Sequence, residues 1–287
     1  ENSQLPSPPF FLIPNIDNLR DAAVSLSTPL GPVRRGVLFR SAEVGKLDRA
    51  GWDAVRELGV ARVFDLRSRV ELEKEWAGVV PNPGSNATPD ARPSWLKELE
   101  DAGMQRDWVP VFSDTDYSPE KLAERYQKYM QTSVEGFVAA YRGILRQGGD
   151  AYGKILKYLA SLPLASDPAA RGAEAEKCGA LVHCTAGKDR TGVFFGVLFA
   201  FLGVPRGDIA DEYNLTERGF ARERAARLRL AERHALRRAG LAQVIAAFAV
   251  REVDRAFLEL GIARVVRPDT DTADHVRSPR HRREWIA

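Results

Sequence analysis

The chain has 287 residues, 44% hydrophobic and 28% charged, enough apolar content for one sizeable core and too much for an intrinsically disordered chain. Lys and Arg number 42 against 39 Asp and Glu, a balance that excludes a chain-wide electrostatic design for nucleic acid. The two cysteines, Cys178 and Cys184, are six positions apart, roughly 20 Å along a strand and beyond bridging range, so reduced thiols and a cytoplasmic location are expected.

Residues 1–9, rich in Pro and Ser, read as a flexible leader. Two β-rich runs follow, Gly36–Arg40 and Gly59–Asp65, and the apolar spacing of Leu47–Leu58 between them suits a helix. Residues 78–94 carry four prolines and have loop composition. Trp108–Phe112 is a third candidate strand, although Pro110 weakens it. From Leu122 to Leu145 the apolar positions follow the i, i+3, i+4 pattern of an amphipathic helix, and Ala151–Leu162 predicts another that stops at Pro163. Ala180–Cys184 is an apolar strand, Thr185–Arg190 a polar turn, and Thr191–Leu202 an apolar helix ending at Gly203. The run Val193–Val204 is too short for a membrane span, which needs about 20 residues.

Strand, short polar loop and buried helix form an anion-binding geometry. Within His183-Cys-Thr-Ala-Gly-Lys-Asp-Arg-Thr-Gly192, a cysteine and an arginine are separated by five residues. The backbone N–H groups of such a loop make a concave site for a phosphate dianion, and the helix N-terminus adds positive charge. The predicted phosphate-binding residues are therefore Thr185, Ala186, Gly187, Lys188, Asp189 and Arg190. The same field favours the Cys184 thiolate, a nucleophile suited to attack on phosphorus. Arg190 offers a planar fork to the equatorial oxygens. Thr191 is placed to hydrogen-bond the sulfur, and His183 to orient the loop backbone. The alternative is a buried, inert cysteine. A magnesium-dependent nucleotide loop is disfavoured because Asp189 follows Gly187-Lys188 where Ser or Thr is needed.

The loop, together with Asn18-Leu-Arg-Asp21, Leu38-Phe-Arg-Ser41, Asp65-Leu-Arg-Ser68 and Asp211-Glu-Tyr-Asn-Leu-Thr216, resembles the atypical tyrosine phosphatases of the mycobacterial secreted phosphatase B type. The resemblance spans residues 15–262. It implies a cysteine-dependent phosphatase fold without metal or organic cofactor. It also implies action on phosphotyrosine, often with phosphoserine, phosphothreonine or phosphoinositides as further substrates.

Cleavage of a phosphoester needs a proton donor for the departing oxygen. Asp114, after the Val-Pro-Val-Phe run, is the first candidate: its position is similar to the Phe-Pro-Asp of the family, with Ser113 in place of the proline and Asp116 two residues on. Asp189, inside the loop, is the rival. Asp65 and Arg67, at a strand end, are expected to brace the loop through ionic hydrogen bonds. Lys188 adds attraction for further phosphates, a feature resembling inositide-directed loops.

Between Glu217 and Arg238 eight arginines face three glutamates. This is either a solvated helix face or, as the resemblance implies, part of a helical lid over residues 217–248 that steers acidic peptides or headgroups and touches membranes peripherally. The expected organisation is a leader (1–9), one phosphatase domain (10–266) and a mobile tail (267–287). The expected fold is α/β, a central, mostly parallel sheet flanked by helices with the loop at the carboxyl end of a strand. The expected activity is hydrolysis of phosphomonoesters through a cysteinyl-phosphate. A phosphoinositide phosphatase and a non-catalytic phosphate-binding module are the alternatives.

Overall fold

Short runs buried on both faces build the centre of the sheet, because successive side chains of a strand point to opposite faces and each face is covered. In the computed structural model, which describes residues 5–76, 93–112, 134–163, 177–220 and 238–244, seven strands occur in chain order. They are β1 Arg20–Asp21, β2 Ser27–Thr28, β3 Gly31–Pro32, β4 Leu38–Ser41, β5 Val60–Asp65, β6 Gln105–Trp108 and β7 Gly179–His183. The main sheet has the order β1-β4-β7-β5-β6. Strands β4, β7, β5 and β6 are parallel to their neighbours and β1 is an antiparallel edge, so the mostly parallel sheet expected from the sequence is present. β2 and β3 form a separate small hairpin.

The register aligns the carboxyl ends of the parallel strands: Ser41 and Asp65 both pair with His183, and Trp108 pairs with Asp65. Everything that leaves these strands therefore emerges on one edge, where ligands of open α/β sheets bind.

Besides the helical residues 238–244, the described residues hold seven helices: α1 Arg49–Glu57, α2 Arg69–Trp76, α3 Ser94–Asp101, α4 Val134–Gln147, α5 Gly149–Ser161, α6 Asp189–Phe201 and α7 Arg206–Gly219. Asp48 caps α1 by accepting from the Gly51 amide at 2.8 Å. Alternate strand residues divide between two cores. Leu38, Phe64, Ala180 and Val182 join Tyr141, Ile155, Phe195 and Phe199 of α4, α5 and α6. Phe39, Val63 and Leu181 face Trp52 of α1 and Trp95 and Leu99 of α3. The sheet is thus covered on both faces, as the sequence predicts.

Three boundaries differ from expectation. The third strand is Gln105–Trp108, upstream of the predicted Trp108–Phe112. Pro110 has no N–H for a ladder, and the chain continues beside β5 only through Val109 and Val111, whose amides donate to Asp65 and Leu66. Helix α6 begins at Asp189, two residues early, so Asp189 and Arg190 form its first turn. Part of the expected leader is tied down: the Asp21 amide donates to Pro9 and the Phe10 amide to Pro6. Of the predicted helix from Leu122, residues 122–133 lie outside the described residues, as do most of the lid segment and the tail. Residues 238–244 are helical, with Leu241 and Val244 buried in the larger core.

Candidate active site

Strand β7 is buried along its whole length between β4 and β5, and its last residues deliver Cys184 to the sheet edge, 3% exposed. The chain turns at Gly187, whose φ is +59°. A Cβ there would lie 1.9 Å from the Ser41 carbonyl oxygen, so only glycine lets the loop approach the end of β4 this closely.

The carbonyls of Thr185, Ala186 and Gly187 are each held by a donor from outside the loop. Thr185 O accepts from the Glu43 amide at 3.1 Å, and Ala186 O accepts from Asn18 Nδ2 at 3.2 Å. Gly187 O accepts from Arg40 Nη2 at 2.8 Å and from Asn18 Nδ2 at 3.4 Å. In a trans peptide the N–H points opposite to the carbonyl of the preceding residue, so the amides of Ala186, Gly187 and Lys188 turn away from those partners, to the concave side. That is the geometry of an anion cradle, and the N-terminus of α6 adds its partial positive charge.

Beneath the cradle lies an ion network that no local sequence window contains. Glu212 of α7 is shared by two arginines: Arg20 Nε donates to Oε1 at 2.8 Å and Arg40 Nη1 to Oε2 at 2.6 Å. Arg20 also donates to Thr216 Oγ1 at 3.0 Å and to Asn18 Oδ1. Both arginines are fully buried, and burial, assisted by the charge of Arg40, lowers Arg20 to about 10 against the pull of Glu212. The three flanking motifs around Asn18, Arg40 and Glu212 thus meet under Gly187 and hold its carbonyl.

A second buried group lies under Cys184. Asp65 accepts from Arg67 Nε and Nη2, both at 2.9 Å, and from Arg106 Nη2 at 2.8 Å. Burial alone would raise the Asp65 carboxyl, but the charge that His183 carries when protonated at low pH, together with these guanidiniums, outweighs it and holds it well below the usual carboxylate range. His183 Nε2 is 3.7 Å from Asp65. Burial lowers its pKa to about 4 despite that carboxylate, so the ring is neutral at pH 7. Its Nδ1 lies 3.3 Å from the Cys184 carbonyl; a carbonyl only accepts, so this nitrogen carries the proton and braces the loop backbone.

Arg190 reaches back across the mouth of the loop. Its Nη1 and Nη2 donate to Oε2 and Oε1 of Glu71, each at 2.6 Å, and Nη2 lies 3.3 Å from Thr185 Oγ1. Tyr152 of α5 donates to the Arg190 carbonyl at 2.8 Å. Asp189 Oδ1 accepts from Tyr141 of α4 at 2.9 Å, and the Tyr141 and Tyr213 hydroxyls are 2.7 Å apart. Since Tyr141 gives its proton to Asp189, Tyr213 must donate to Tyr141, and the chain runs in one direction from α7 to the loop.

The structure therefore brings together Cys184, Thr185, Ala186, Gly187, Asp189 and Arg190, with His183 and Asp65 beneath. Lys188 is buried, 5% exposed. Thr191 Oγ1 is also buried and has no hydrogen-bond partner among the described residues, so the expected bond to the sulfur is not made here. Asp114 and Asp116 lie outside the described residues.

The profile of the tyrosine phosphatase family matches residues 11–272. This chain belongs to the tyrosine phosphatase family. Among its relatives is the triple specificity protein phosphatase PtpB of Mycobacterium tuberculosis, 29% identical over 208 residues that cover 70% of this chain and 67% of that protein. Another is a tyrosine-protein phosphatase of Nostoc commune, 26% identical over 62% of this chain and 47% of that protein. Within this tyrosine phosphatase, Glu71 is the site residue that loop-centred reasoning misses. A signal existed: Ser68-Arg-Val-Glu71 has the spacing of a helix capping box directly after Asp65-Leu-Arg67.

Proposed function

We propose that the protein hydrolyses phosphotyrosine, and also phosphoserine and phosphothreonine, through a cysteinyl-phosphate formed on Cys184. The observation that carries this reading is the cradle of outward carbonyls and inward amides closed by Arg190 above Cys184. The sulfur of deprotonated Cys184 attacks phosphorus in line with the ester oxygen, and the P–O bond breaks as the S–P bond forms. The amides of Ala186, Gly187 and Lys188 and the Arg190 guanidinium take up the charge that spreads over the equatorial oxygens. A proton from a carboxylic acid goes to the leaving oxygen. We assign it to Asp189, held by Tyr141 in the first turn of α6, with Asp114 as the rival. Water then attacks the thiophosphate, the same carboxylate takes its proton, and the Cys184 thiolate leaves with inorganic phosphate as product.

The test is turnover of para-nitrophenyl phosphate and of a phosphotyrosine peptide against pH, for wild type and for Cys184→Ser, Asp189→Asn and Asp114→Asn, each checked for folding. Cys184→Ser is expected to abolish turnover on both, and Asp189→Asn to lose most of it on the peptide, whose leaving group needs the proton. A peptide rate that falls with Asp114→Asn alone moves the acid to Asp114. If folded wild type binds tungstate yet turns over neither substrate, the enzyme reading falls and a phosphate-binding module replaces it. Soluble inositide headgroups, run in parallel, separate protein from lipid substrates.

A further inference from the structure

Ser68 and Glu71 form a reciprocal capping box at the start of α2. The Ser68 amide donates to Glu71 Oε2 at 3.0 Å, and Ser68 Oγ lies 3.4 Å from the Glu71 amide. On that pattern alone Glu71 is a structural residue of a helix end. Its carboxylate, however, takes on more than the cap. Oε2 also accepts from Ser68 Oγ at 2.9 Å and Arg190 Nη1 at 2.6 Å, while Oε1 accepts from Thr185 Oγ1 at 2.5 Å and Arg190 Nη2 at 2.6 Å. Burial by itself would raise the Glu71 carboxyl, but Arg190 holds it well below the usual range.

We propose that Glu71 is the positioning residue of Arg190: the capping box fixes a carboxylate whose two oxygens grip the outer edge of the guanidinium and aim the rest of the fork at the phosphoryl group. The pair is fork-to-fork, the geometry in which arginine orientation is most tightly defined. Because the box already orders the Glu71 side chain, gripping Arg190 freezes little additional rotamer freedom. Glu71 also sits beside the anion site with a negative charge of its own. It therefore fixes the geometry of the transition-state contact while opposing binding of the oxyanion itself. These two effects have opposite signs on kcat and on phosphate affinity, which separates positioning from simple support of the fold.

The proposal rests on Arg190 acting on the transferring group, and a double-mutant cycle tests it. Steady-state turnover of the phosphotyrosine peptide and inhibition by inorganic phosphate are measured for wild type, Glu71→Gln, Arg190→Lys and the double variant. Glu71→Gln is expected to lower kcat by roughly 10- to 100-fold, the cost of a misplaced contact group, while the phosphate inhibition constant stays the same or falls. In the Arg190→Lys background, where no fork remains to be aimed, the same substitution is expected to change kcat by no more than about twofold. Three results would overturn the proposal: kcat of Glu71→Gln within twofold of wild type, an equal loss in both backgrounds, or phosphate inhibition weakened in step with kcat. Should Glu71→Gln fail to fold, Ser68→Ala, which removes the Oγ donor to Oε2 and the cap on the Glu71 amide, carries the same cycle with the same criteria. An inactive wild type would overturn the phosphatase reading itself, whereas an active wild type insensitive to Glu71→Gln overturns this proposal alone.

Discussion

Gly187→Ala tests the loop geometry most directly. A Cβ on residue 187 would meet the Ser41 carbonyl oxygen at 1.9 Å, the Ser41 carbonyl carbon at 2.4 Å and the Ala42 nitrogen at 2.9 Å. All three are backbone atoms in or just after a parallel strand, so none can swing aside as a flexible side chain would. Reaching an ordinary contact of about 3.4 Å requires the loop to retreat by about 1.5 Å. That retreat pulls Gly187 O from Arg40 Nη2 and Asn18 Nδ2 and rotates the amides out of the cradle. A left-handed φ on a residue with a Cβ adds about 1–2 kcal/mol; with the lost charge-assisted hydrogen bond, about 1.5–3 kcal/mol, the total is about 2.5–5 kcal/mol. A displacement beyond 1 Å lowers turnover by about 100-fold or more. The assay pairs peptide turnover with urea unfolding of the same preparation. A Gly187→Ala protein with activity within threefold of wild type and an unchanged unfolding midpoint would refute the claim that the loop is set by its approach to β4.

Two further predictions concern the buried charges. Glu212→Gln leaves the Arg20 and Arg40 guanidiniums buried without their shared carboxylate, and breaking such a pair costs about 3–5 kcal/mol; a urea-unfolding loss below about 1 kcal/mol would contradict the network. The second is a pH dependence. The folded His183 pKa lies near 4 against an ordinary 6.5, so between these values the unfolded chain binds the additional proton and stability falls as pH drops through that window. Glu71, held low by Arg190, acts in the same direction, its contribution present above its ordinary value of 4.5 and lost below it. The unfolding free energy of wild type, from urea titrations, is expected to fall from pH 6.5 to 4, by up to about 1.4 kcal/mol per pH unit for one proton. His183→Asn, which keeps a donor near the Cys184 carbonyl, is expected to flatten that slope; an unchanged slope refutes the assignment to His183.

What the sequence made legible follows from how local each feature is. The loop from Cys184 to Arg190 is contiguous, its strand is an unbroken apolar run, and the helix after it ends at a glycine, so element and chemistry could be read together. β6 was misplaced because an apolar run around Pro110 looked more strand-like than Gln105-Arg-Asp-Trp108, a partly polar run on the sheet's outer strand. The supporting residues were less accessible for a different reason. Arg190 and Glu71 are 119 positions apart, and Arg20 and Glu212 are 192 apart; nothing in a one-dimensional pattern states that they meet. The motifs around Asn18, Arg40 and Glu212 could be recognised by resemblance, yet only the fold shows them as one network with one task, holding the Gly187 carbonyl. Asp65 and Arg67 were expected to brace the loop through ionic hydrogen bonds; the bonds shown instead tie Asp65 to Arg67 and Arg106, with His183 Nε2 3.7 Å away.

The charge balance around the loop explains why so much of the support is buried. Arg190 is paired with Glu71, so the fork contributes direction more than net charge to the anion site. The attraction for a dianion must then come from elsewhere: the inward amides, the N-terminus of α6, and the arginine pair beneath, where Glu212 neutralises only one of two guanidiniums. Removing that surplus from solvent keeps it unscreened by salt, and placing Arg40 behind the Gly187 carbonyl polarises that peptide unit so that the Lys188 amide is the better donor. The arrangement makes the anion site a product of the completed fold, because Asn18, Arg40 and Glu212 reach Gly187 only when β1, β4 and α7 have all docked around β7.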